Sequence, residues 1–326
     1  MPNYCYFLWL LANCAARGRP RGCLDSSLMK YLIRLTLVAA LLVCPNTLFA
    51  QTQFEGSRAL QHIVNQVAFG PREPNNPAAK QLTVDYIKQT LEPLADRVTL
   101  QEFSYLGLFG TNIWARIKSP SGHNAQPIML GAHWDTRPQA EMDPDPALRN
   151  RPILGANDGA SGVAVLLEMA RVFANSPLPV DLDLLFFDLE DMGNINNLPY
   201  SIGARQFVTK NPFYRPSAGI IVDMVCAKTL SIPRELYSQT KAGPLMDKVW
   251  EIAKQQKSGA FKDYRGTRII DDHLPFLNAG ISVVDLIHYP FPDHWHTTAD
   301  TVDKCSSHSL QQVGDVLQQF IAAYKP

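Results

Sequence analysis

Four short apolar runs in this chain have the length of fully buried strands, and each of them leads into ionisable side chains. The runs are 127–132, 182–187, 218–222 and 281–287. Strands that are buried on both faces are continuously apolar, and they occur mainly in parallel sheets that helices cover on both sides. The runs therefore predict an α/β protein with a largely parallel sheet.

Apolar residues at helical spacing separate these runs along the chain. The helical patterns cover 56–69, 77–91, 160–174, 201–210, 243–257 and 308–323. Polar and apolar residues alternate at 97–103 and 112–117, which predicts two half-exposed strands at a sheet edge. Strands that alternate with helices in this way predict a three-layer α/β/α sandwich around a mixed, mostly parallel sheet.

The composition excludes two classes of protein. The chain has 326 residues, of which 46% are hydrophobic and 18% charged, so it is neither a disordered chain nor a fibre. Its 30 Lys and Arg residues balance its 30 Asp and Glu residues, and no two basic residues are consecutive. A nucleic-acid-binding protein normally carries a basic excess, so we expect no nucleic acid partner.

The first fifty residues have the pattern of a secretory signal. A basic segment that begins at Met29 is followed by an apolar run, Leu35–Cys44, and by the small residue Ala50. The run is shorter than the ~20 apolar residues of a membrane span. We therefore predict an upstream translation artefact at 1–28, a signal peptide at 29–50 and a single mature domain at 51–326.

The predicted cleavage site at residue 51 also divides the cysteines into two groups. Four of the six cysteines precede residue 51, and only Cys226 and Cys305 follow it. An exported protein can keep a disulfide, but the sequence leaves open whether these two residues pair.

Ionisable residues occupy the ends of all four apolar runs. They are His133 and Asp135 after the first run, Asp188, Glu190 and Asp191 after the second, Asp223 after the third, and Asp285 and His288 within and after the fourth. Ligands of open α/β sheets bind outside the carboxyl ends of the strands. Because His, Asp and Glu together suit a cation such as Zn²⁺, a metal site is predicted at this edge of the sheet.

A glycine-rich segment at 155–162 opens one of the predicted helices and carries Asp158. The free amide groups of a helix N-terminus favour a carboxylate there. The glycines on either side of Asp158 indicate a tight turn with a close backbone approach. Two interpretations of Asp158 remain open at this point, a helix cap and a ligand of the metal site.

Taken in order, these motifs resemble those of zinc aminopeptidases of the M28 type. The resemblance rests on Gly131–Asp135, Gly155–Asp158, Phe186–Asp191, Asp223 and His296–Thr297. Two further stretches, Asp271–Leu277 and Phe291–His296, resemble those of the glutaminyl-peptide cyclotransferases, or glutaminyl cyclases, within that superfamily. The similarity extends from about residue 56 to the C-terminus. It implies an exported branch from a Gram-negative bacterium, in the periplasm or secreted.

The resemblance implies an acyltransferase that uses one Zn²⁺ per chain to convert the N-terminal glutamine of peptides and proteins to pyroglutamate, with release of ammonia. We expect it to be a monomer without a membrane span. The same resemblance implies that zinc is bound by Asp158, Asp191 and His296, and that Glu190 is the general acid and base. It also implies that the reacting groups are hydrogen-bonded by Asp223 and Asp271. The residues implied at the substrate are Trp295, Phe291, Asp285 and Trp134.

Two alternatives to this reaction remain open. In a di-zinc aminopeptidase, His133 and Asp223 would hold a second metal ion and Asp158 would bridge the two ions. All residues for that arrangement are present, so the ligand types alone do not separate the two enzymes. A non-catalytic binding protein of the same fold is a weaker alternative, because no catalytic or ligand residue is missing.

Three local expectations follow from the motifs. Adjacent residues on a strand point to opposite faces, so Glu190 and Asp191 can share one site only if the chain turns sharply after Asp188. The loop 136–154 is long enough to cover a site. The remaining acidic residues are expected in solvated segments, namely Glu141, Asp143 and Asp145 in that loop and Asp272, beside His273, in a turn.

Overall fold

A six-stranded mixed sheet forms the centre of the structure, a computed structural model that describes residues 52–120 and 125–325. Its strands, in chain order, are β1 (Arg97–Tyr105), β2 (Leu108–Ile117), β3 (Ile128–His133), β4 (Leu182–Phe187), β5 (Ala218–Asp223) and β8 (Val283–Ile287), while β6 (Ile232–Arg234) and β7 (Phe261–Arg265) pair separately. The predicted signal peptide at 29–50 and the segment before it lie outside the described residues.

The order of strands in the sheet is β1-β2-β4-β3-β5-β8. Strands β4, β3, β5 and β8 run parallel, and β2 is antiparallel to both β1 and β4. Each of the four parallel strands is buried along its whole length, whereas β1 is mostly exposed or half-buried. The prediction of a mixed, mostly parallel sheet with half-exposed strands at one edge is confirmed.

Helices cover both faces of this sheet. They are α1 (Gly56–Ala68), α2 (Pro77–Leu91), α3 (Ala160–Ala174), α4 (Ile202–Lys210), α5 (Leu236–Gln255), α6 (His273–Asn278) and α7 (Ser307–Ala322). Two adjacent residues of β3 contact the helices on opposite faces of the sheet. Gly131 faces Phe187, whose ring packs against α4 and α6, whereas Ala132 faces Gly162 of α3. The three-layer α/β/α sandwich predicted from the sequence is therefore present.

Helix α5 begins seven residues before the predicted start at residue 243. The Glu235 carboxylate caps this helix, because it accepts hydrogen bonds from the amides of Tyr237 and Ser238 at 2.8 and 2.6 Å. The helical geometry is interrupted at Ala242, two residues before Pro244. This interruption breaks the hydrophobic periodicity, which is why the first two turns of the helix were missed.

Cys226 and Cys305 form a disulfide. It joins the segment after β5 to the segment before α7, and a backbone bridge between Ala227 and Cys305 adjoins it. The pairing that the sequence left open is thereby resolved. Among the described residues, no helix combines the length and apolar character needed to cross a bilayer.

Candidate metal centre and active site

The predicted site residues converge because the parallel strands end at one edge of the sheet. His133 is the last residue of β3, and its register partner on β4 is Phe187, so the residues after both strands start side by side. Asp223 ends β5 on the other side of β3. Motifs that are separated along the chain therefore lie close together in space, at the carboxyl ends of three adjacent strands.

Asp158, Asp191 and His296 form a buried cluster in which one candidate ligand atom from each lies within 4.8 Å of the others. The Nε2 atom of His296 lies 3.3 Å from Asp191 Oδ1 and 3.6 Å from Asp158 Oδ2. The Oδ2 atom of Asp191 is buried and has no hydrogen-bond partner. A cation would satisfy this oxygen, and two carboxylates with one imidazole match the ligand types of catalytic zinc.

A second cluster adjoins the first one and shares Asp158 with it. His133 Nε2 lies 3.2 Å from Asp158 Oδ1 and 3.1 Å from Asp223 Oδ1. The two oxygens of Asp158 therefore face two different histidines. This is the arrangement that a bridging carboxylate needs, so the structure keeps open a second metal position.

The turn that carries Asp158 is fixed by buried polar contacts. The carboxylate of Asp300 accepts hydrogen bonds from the amides of Asn157 and Asp158 at 2.9 and 3.1 Å. Gly155 has a φ of +58°, and a Cβ atom there would collide with the backbone oxygen of Asp158. A glycine is therefore required, and Asp158 lies just before α3, which begins at Ala160.

The chain turns sharply after β4, as it must if the adjacent residues Glu190 and Asp191 are to point into the same site. Leu189 has a φ of +57°, in the left-handed region. The carboxylate of Asp135 accepts hydrogen bonds from the amides of Glu190 and Asp191, at 3.0 and 3.2 Å. Both side chains consequently face the same cavity, and the predicted turn is confirmed.

Glu190 lies in an acidic environment that favours its protonated form. It is buried, and oxygen atoms of Glu190, Asp271 and Asp272 lie within 4.8 Å of one another. Burial, together with the charges of Asp271 and Asp272, raises the pKa of Glu190 well above its usual value, although His133 acts in the opposite direction. A carboxyl group with a raised pKa can accept and return a proton near neutral pH.

A cavity of about 250 Å³ opens over both clusters. Asp158, Glu190, Asp191, Asp223, Asp271 and His296 line it on the polar side, and Tyr289, Phe291 and Trp295 form an aromatic side. The rings of Phe291 and Trp295 stack at 4.4 Å, and the Trp295 ring stacks on His296 at 3.8 Å. The aromatic wall is thus continuous with the candidate metal cluster.

The sequence profile described as peptidase family M28 matches residues 112–321, which is more than half of the chain. The chain belongs to peptidase family M28. This family is zinc-dependent, which agrees with the buried Asp158, Asp191 and His296 cluster.

Relatives of this M28 protein include both cyclases and peptidases. A glutaminyl cyclase structure from Bacteroides thetaiotaomicron, bound to N-acetylhistamine, is 35% identical with a TM-score of 0.78 and covers 84% of this chain and 99% of that one. A Zn-dependent exopeptidase from Parabacteroides distasonis is 32% identical, with a TM-score of 0.78, over 84% of this chain and 100% of that one. The glutaminyl-peptide cyclotransferase of Bos taurus is 24% identical over 292 residues, 78% of each chain.

Two of the predicted substrate residues of this M28 protein do not line the cavity. Trp134 is fully buried, and its indole donates a hydrogen bond to the backbone oxygen of Thr111 at 3.0 Å. It instead lines a separate cleft beside Lys80. Asp285 is also fully buried, 3.4 Å from His273 Nδ1. That Trp134 and Asp285 lie at the substrate stays a prediction, and in the structure neither side chain lines this cavity.

The prediction that Glu141 and Asp143 form a solvated acidic loop is wrong. Glu141 Oε1 lies 2.8 Å from Nδ1 of His296, and Asp143 accepts hydrogen bonds from the amide and hydroxyl of Thr298 at 3.0 and 2.7 Å. Burial raises the pKa of Glu141, but the hydrogen bonds from His296 and Arg137 outweigh this and lower it to about 2. Only Asp145 is exposed as expected.

Asp272 and His273, expected in a solvated turn, are fully buried. His273 lies 3.2 Å from Glu235 Oε2, on the side away from Asp285. Burial and the charge of Asp271 raise the pKa of Asp272 well above its usual value. These contacts join residues that are distant in sequence, and no spacing rule would have found them.

Proposed function

We propose that this M28 protein converts the N-terminal glutamine of peptides and proteins to pyroglutamate and releases ammonia, with one Zn²⁺ per chain held by Asp158, Asp191 and His296. The observation that carries the proposal is the position of Glu190, a buried carboxyl group in the same cavity as the candidate ligands. The similarity to proteins named as glutaminyl cyclases supports the proposal.

Proton transfer by Glu190 is the central step of the proposed reaction. A zinc ion in the cluster would polarise the γ-carbonyl group of the substrate. Glu190 accepts a proton from the substrate α-amine, and the nitrogen attacks the γ-carbon. The bond to the amide nitrogen then breaks, and Glu190 returns the proton to the departing ammonia. The products are a five-membered lactam and ammonia, which makes the enzyme an acyltransferase.

The other cavity residues orient the substrate in this proposal. Asp223 and Asp271 lie on the polar side, where they accept hydrogen bonds from the substrate amine and amide. Burial raises the pKa of Asp223 to about 7, against the opposing effect of His133, so it can also carry a proton. Phe291 and Trp295 pack against the glutaminyl side chain. Because the nucleophile belongs to the substrate, orientation supplies much of the rate.

We also propose that the chain is exported. The support is the sequence pattern at 29–50, with cleavage before Gln51 and a mature domain at 51–326. N-terminal sequencing of the protein from a periplasmic fraction tests this proposal. A mature chain that begins at residue 51, as glutamine or pyroglutamate, is expected. A chain that keeps residues 29–50 in the cytoplasm would contradict it.

A di-zinc aminopeptidase is the second candidate function, because His133, Asp158 and Asp223 form the second cluster. Parallel assays separate the two enzymes. The proposal predicts ammonia from a Gln-initiated peptide and no nitroaniline from leucine p-nitroanilide. Release of nitroaniline, without ammonia from the Gln-peptide, would establish the aminopeptidase instead.

A further inference from the structure

The loop 136–154 contacts two candidate zinc ligands that come from different parts of the fold. Arg137 reaches Asp191, which follows β4, and Glu141 reaches His296, which precedes α7. We propose that Arg137 and Glu141 form a positioning pair that holds Asp191 and His296 in ligating geometry and so strengthens zinc binding. Neither residue lines the cavity, so the pair acts on the ligands and not on the substrate.

Glu141 fixes the orientation of the His296 ring. Its Oε1 atom lies 2.8 Å from Nδ1, so the carboxylate accepts the Nδ1 proton and leaves Nε2 directed at Asp158 and Asp191. A carboxylate on the far nitrogen of a metal-binding histidine sets the tautomer and makes the free nitrogen a better ligand. The next residue of the loop also contributes, because the amide of Met142 donates to the backbone oxygen of His296 at 3.2 Å.

His296 needs such support because its backbone conformation is uncommon. Its φ is +52°, in the left-handed region that residues other than glycine seldom adopt. Contacts from outside the segment must therefore stabilise this conformation. The hydrogen bond that Glu141 accepts and the one that Met142 donates are such contacts, and the ring of the preceding residue, Trp295, stacks on the imidazole.

Arg137 fixes Asp191 through two hydrogen bonds from one nitrogen. Its Nη1 atom lies 3.0 Å from the backbone oxygen of Asp191 and 3.2 Å from Oδ1. The other carboxylate oxygen, Oδ2, is buried without a hydrogen-bond partner. Arg137 thus restrains both the backbone and the side chain of Asp191 and leaves one oxygen free for a cation.

The two residues also bind each other. Arg137 Nε donates to both carboxylate oxygens of Glu141, at 2.6 and 2.8 Å. The Arg137 side chain is 3% exposed and the Glu141 side chain 31%, so the guanidinium group is shielded from water while the carboxylate is only partly shielded. One guanidinium group therefore lies between two carboxylates, and a continuous chain of hydrogen bonds runs from Asp191 to His296. Such a link prepares the ligand geometry before a metal ion arrives, which lowers the cost of binding it.

Zinc affinity is the direct test, measured by competition with a chromophoric chelator on the full mature domain. The variants are Glu141→Ala, Glu141→Gln and Arg137→Gln, with Asp145→Asn as the control on an exposed carboxylate of the same loop. Glu141→Ala should weaken zinc binding by about 10–100-fold. Glu141→Gln, whose amide oxygen can still accept the Nδ1 proton, should lose less. The control should equal the wild type.

Two further readouts separate positioning from a general loss of structure. The melting temperature of each chelator-treated variant reports folding alone, and the visible spectrum of the Co²⁺-substituted protein reports ligand geometry. The spectrum should change in Glu141→Ala and return towards that of the wild type in Glu141→Gln.

Zinc affinities of Glu141→Ala and Arg137→Gln within twofold of the wild type would overturn the inference, as would an equal loss in Asp145→Asn. The inference rests on the proposed zinc site but not on the reaction. A wild-type chain that binds no zinc contradicts the proposed site itself, whereas equal zinc binding by all variants contradicts only the role of the pair.

Discussion

At the scale of single residues, the chemistry of the site depends on where buried carboxyl groups lie relative to each other. Asp158 and Asp191 face histidines, whereas Glu190 faces Asp271 and Asp272. Burial and Asp158 raise the pKa of Asp191 against the opposing effects of His296 and Arg137, and burial and Asp271 raise that of Glu190 against the opposing effect of His133. In the proposed reaction these two adjacent carboxyl groups have different roles, Asp191 as a ligand and Glu190 as a proton carrier.

Glu190→Gln tests this division of roles. The amide cannot accept the proton of the substrate amine, so turnover of a Gln-peptide should fall by about 10²–10⁴-fold. Zinc content and melting temperature should remain unchanged, because the backbone contacts to Asp135 persist. Glu251→Gln, on the exposed face of α5, is the matched control. A Glu190→Gln variant with wild-type turnover would remove Glu190 from the reaction.

Trp295→Ala tests the aromatic wall. The indole stacks between Phe291 and His296. In the proposed reaction it packs against the glutaminyl side chain of the substrate, so its removal would expose that side chain to water. Loss of one buried aromatic contact is worth about 1.5–3 kcal/mol, so kcat/KM should fall by roughly 10–100-fold. Most of the change should appear in KM. If kcat/KM stays within twofold for a Gln-peptide, the wall does not bind the substrate.

At the scale of elements, patterns along the chain predicted the strands and most helices because their signals are local. The helix predicted at 160–174 has the same first and last residues as helix α3 in the structure. The turn after Asp188 was predictable because adjacent residues of a strand point to opposite faces. Contacts between elements gave no such signal. Glu141 and His296 are 155 residues apart in sequence, and Arg137 and Asp191 are 54 residues apart.

The start of α5 shows the same limit. Glu235 caps this helix, yet its carboxylate also lies beside the buried His273 and accepts a hydrogen bond from the amide of Ile269 at 3.2 Å. The helix start and the segment 269–273, which are distant in sequence, therefore meet at the capping carboxylate. A sequence window that contains only the helix includes one of them.

A side-chain contact between α1 and α2 predicts how the free energy of unfolding depends on pH. His62 Nδ1 lies 2.5 Å from the hydroxyl of Tyr86. Burial, with smaller contributions from Arg58 and Arg171, lowers the pKa of His62 to about 4 from 6.5. The unfolded chain therefore binds a proton that the folded chain excludes between pH 6.5 and 4, so this histidine lowers the stability as the pH falls through that window.

His62→Asn removes the titrating group and keeps a hydrogen-bond acceptor for Tyr86. The free energy of unfolding of the wild type, relative to the variant, should fall by about 3 kcal/mol between pH 7 and pH 4. It should then level off at lower pH. Denaturant unfolding at a series of pH values measures this difference. A difference that is constant from pH 7 to pH 4 would show that His62 does not contribute in this way.

At the scale of the whole molecule, the sheet brings together at one edge residues that span about half of the chain, from His133 to His296. The disulfide between Cys226 and Cys305 connects the segments that follow Asp223 and His296. The sequence predicted ionisable residues at the strand ends, and the resemblance to M28 enzymes singled out Asp158, Asp191 and His296 as the candidate ligands. It did not predict the residues that hold those ligands, because their positions depend on the path of the loop 136–154 across the site.

The central claim is that one zinc ion at Asp158, Asp191 and His296 supports cyclisation of N-terminal glutamine. The most direct measurement removes bound metal with a chelator, returns zinc in known amounts, and follows ammonia release from a Gln-initiated peptide. The metal-free protein should be inactive, and activity should recover fully at one zinc ion per chain. Recovery that requires two zinc ions per chain, or undiminished ammonia release without metal, would contradict the claim.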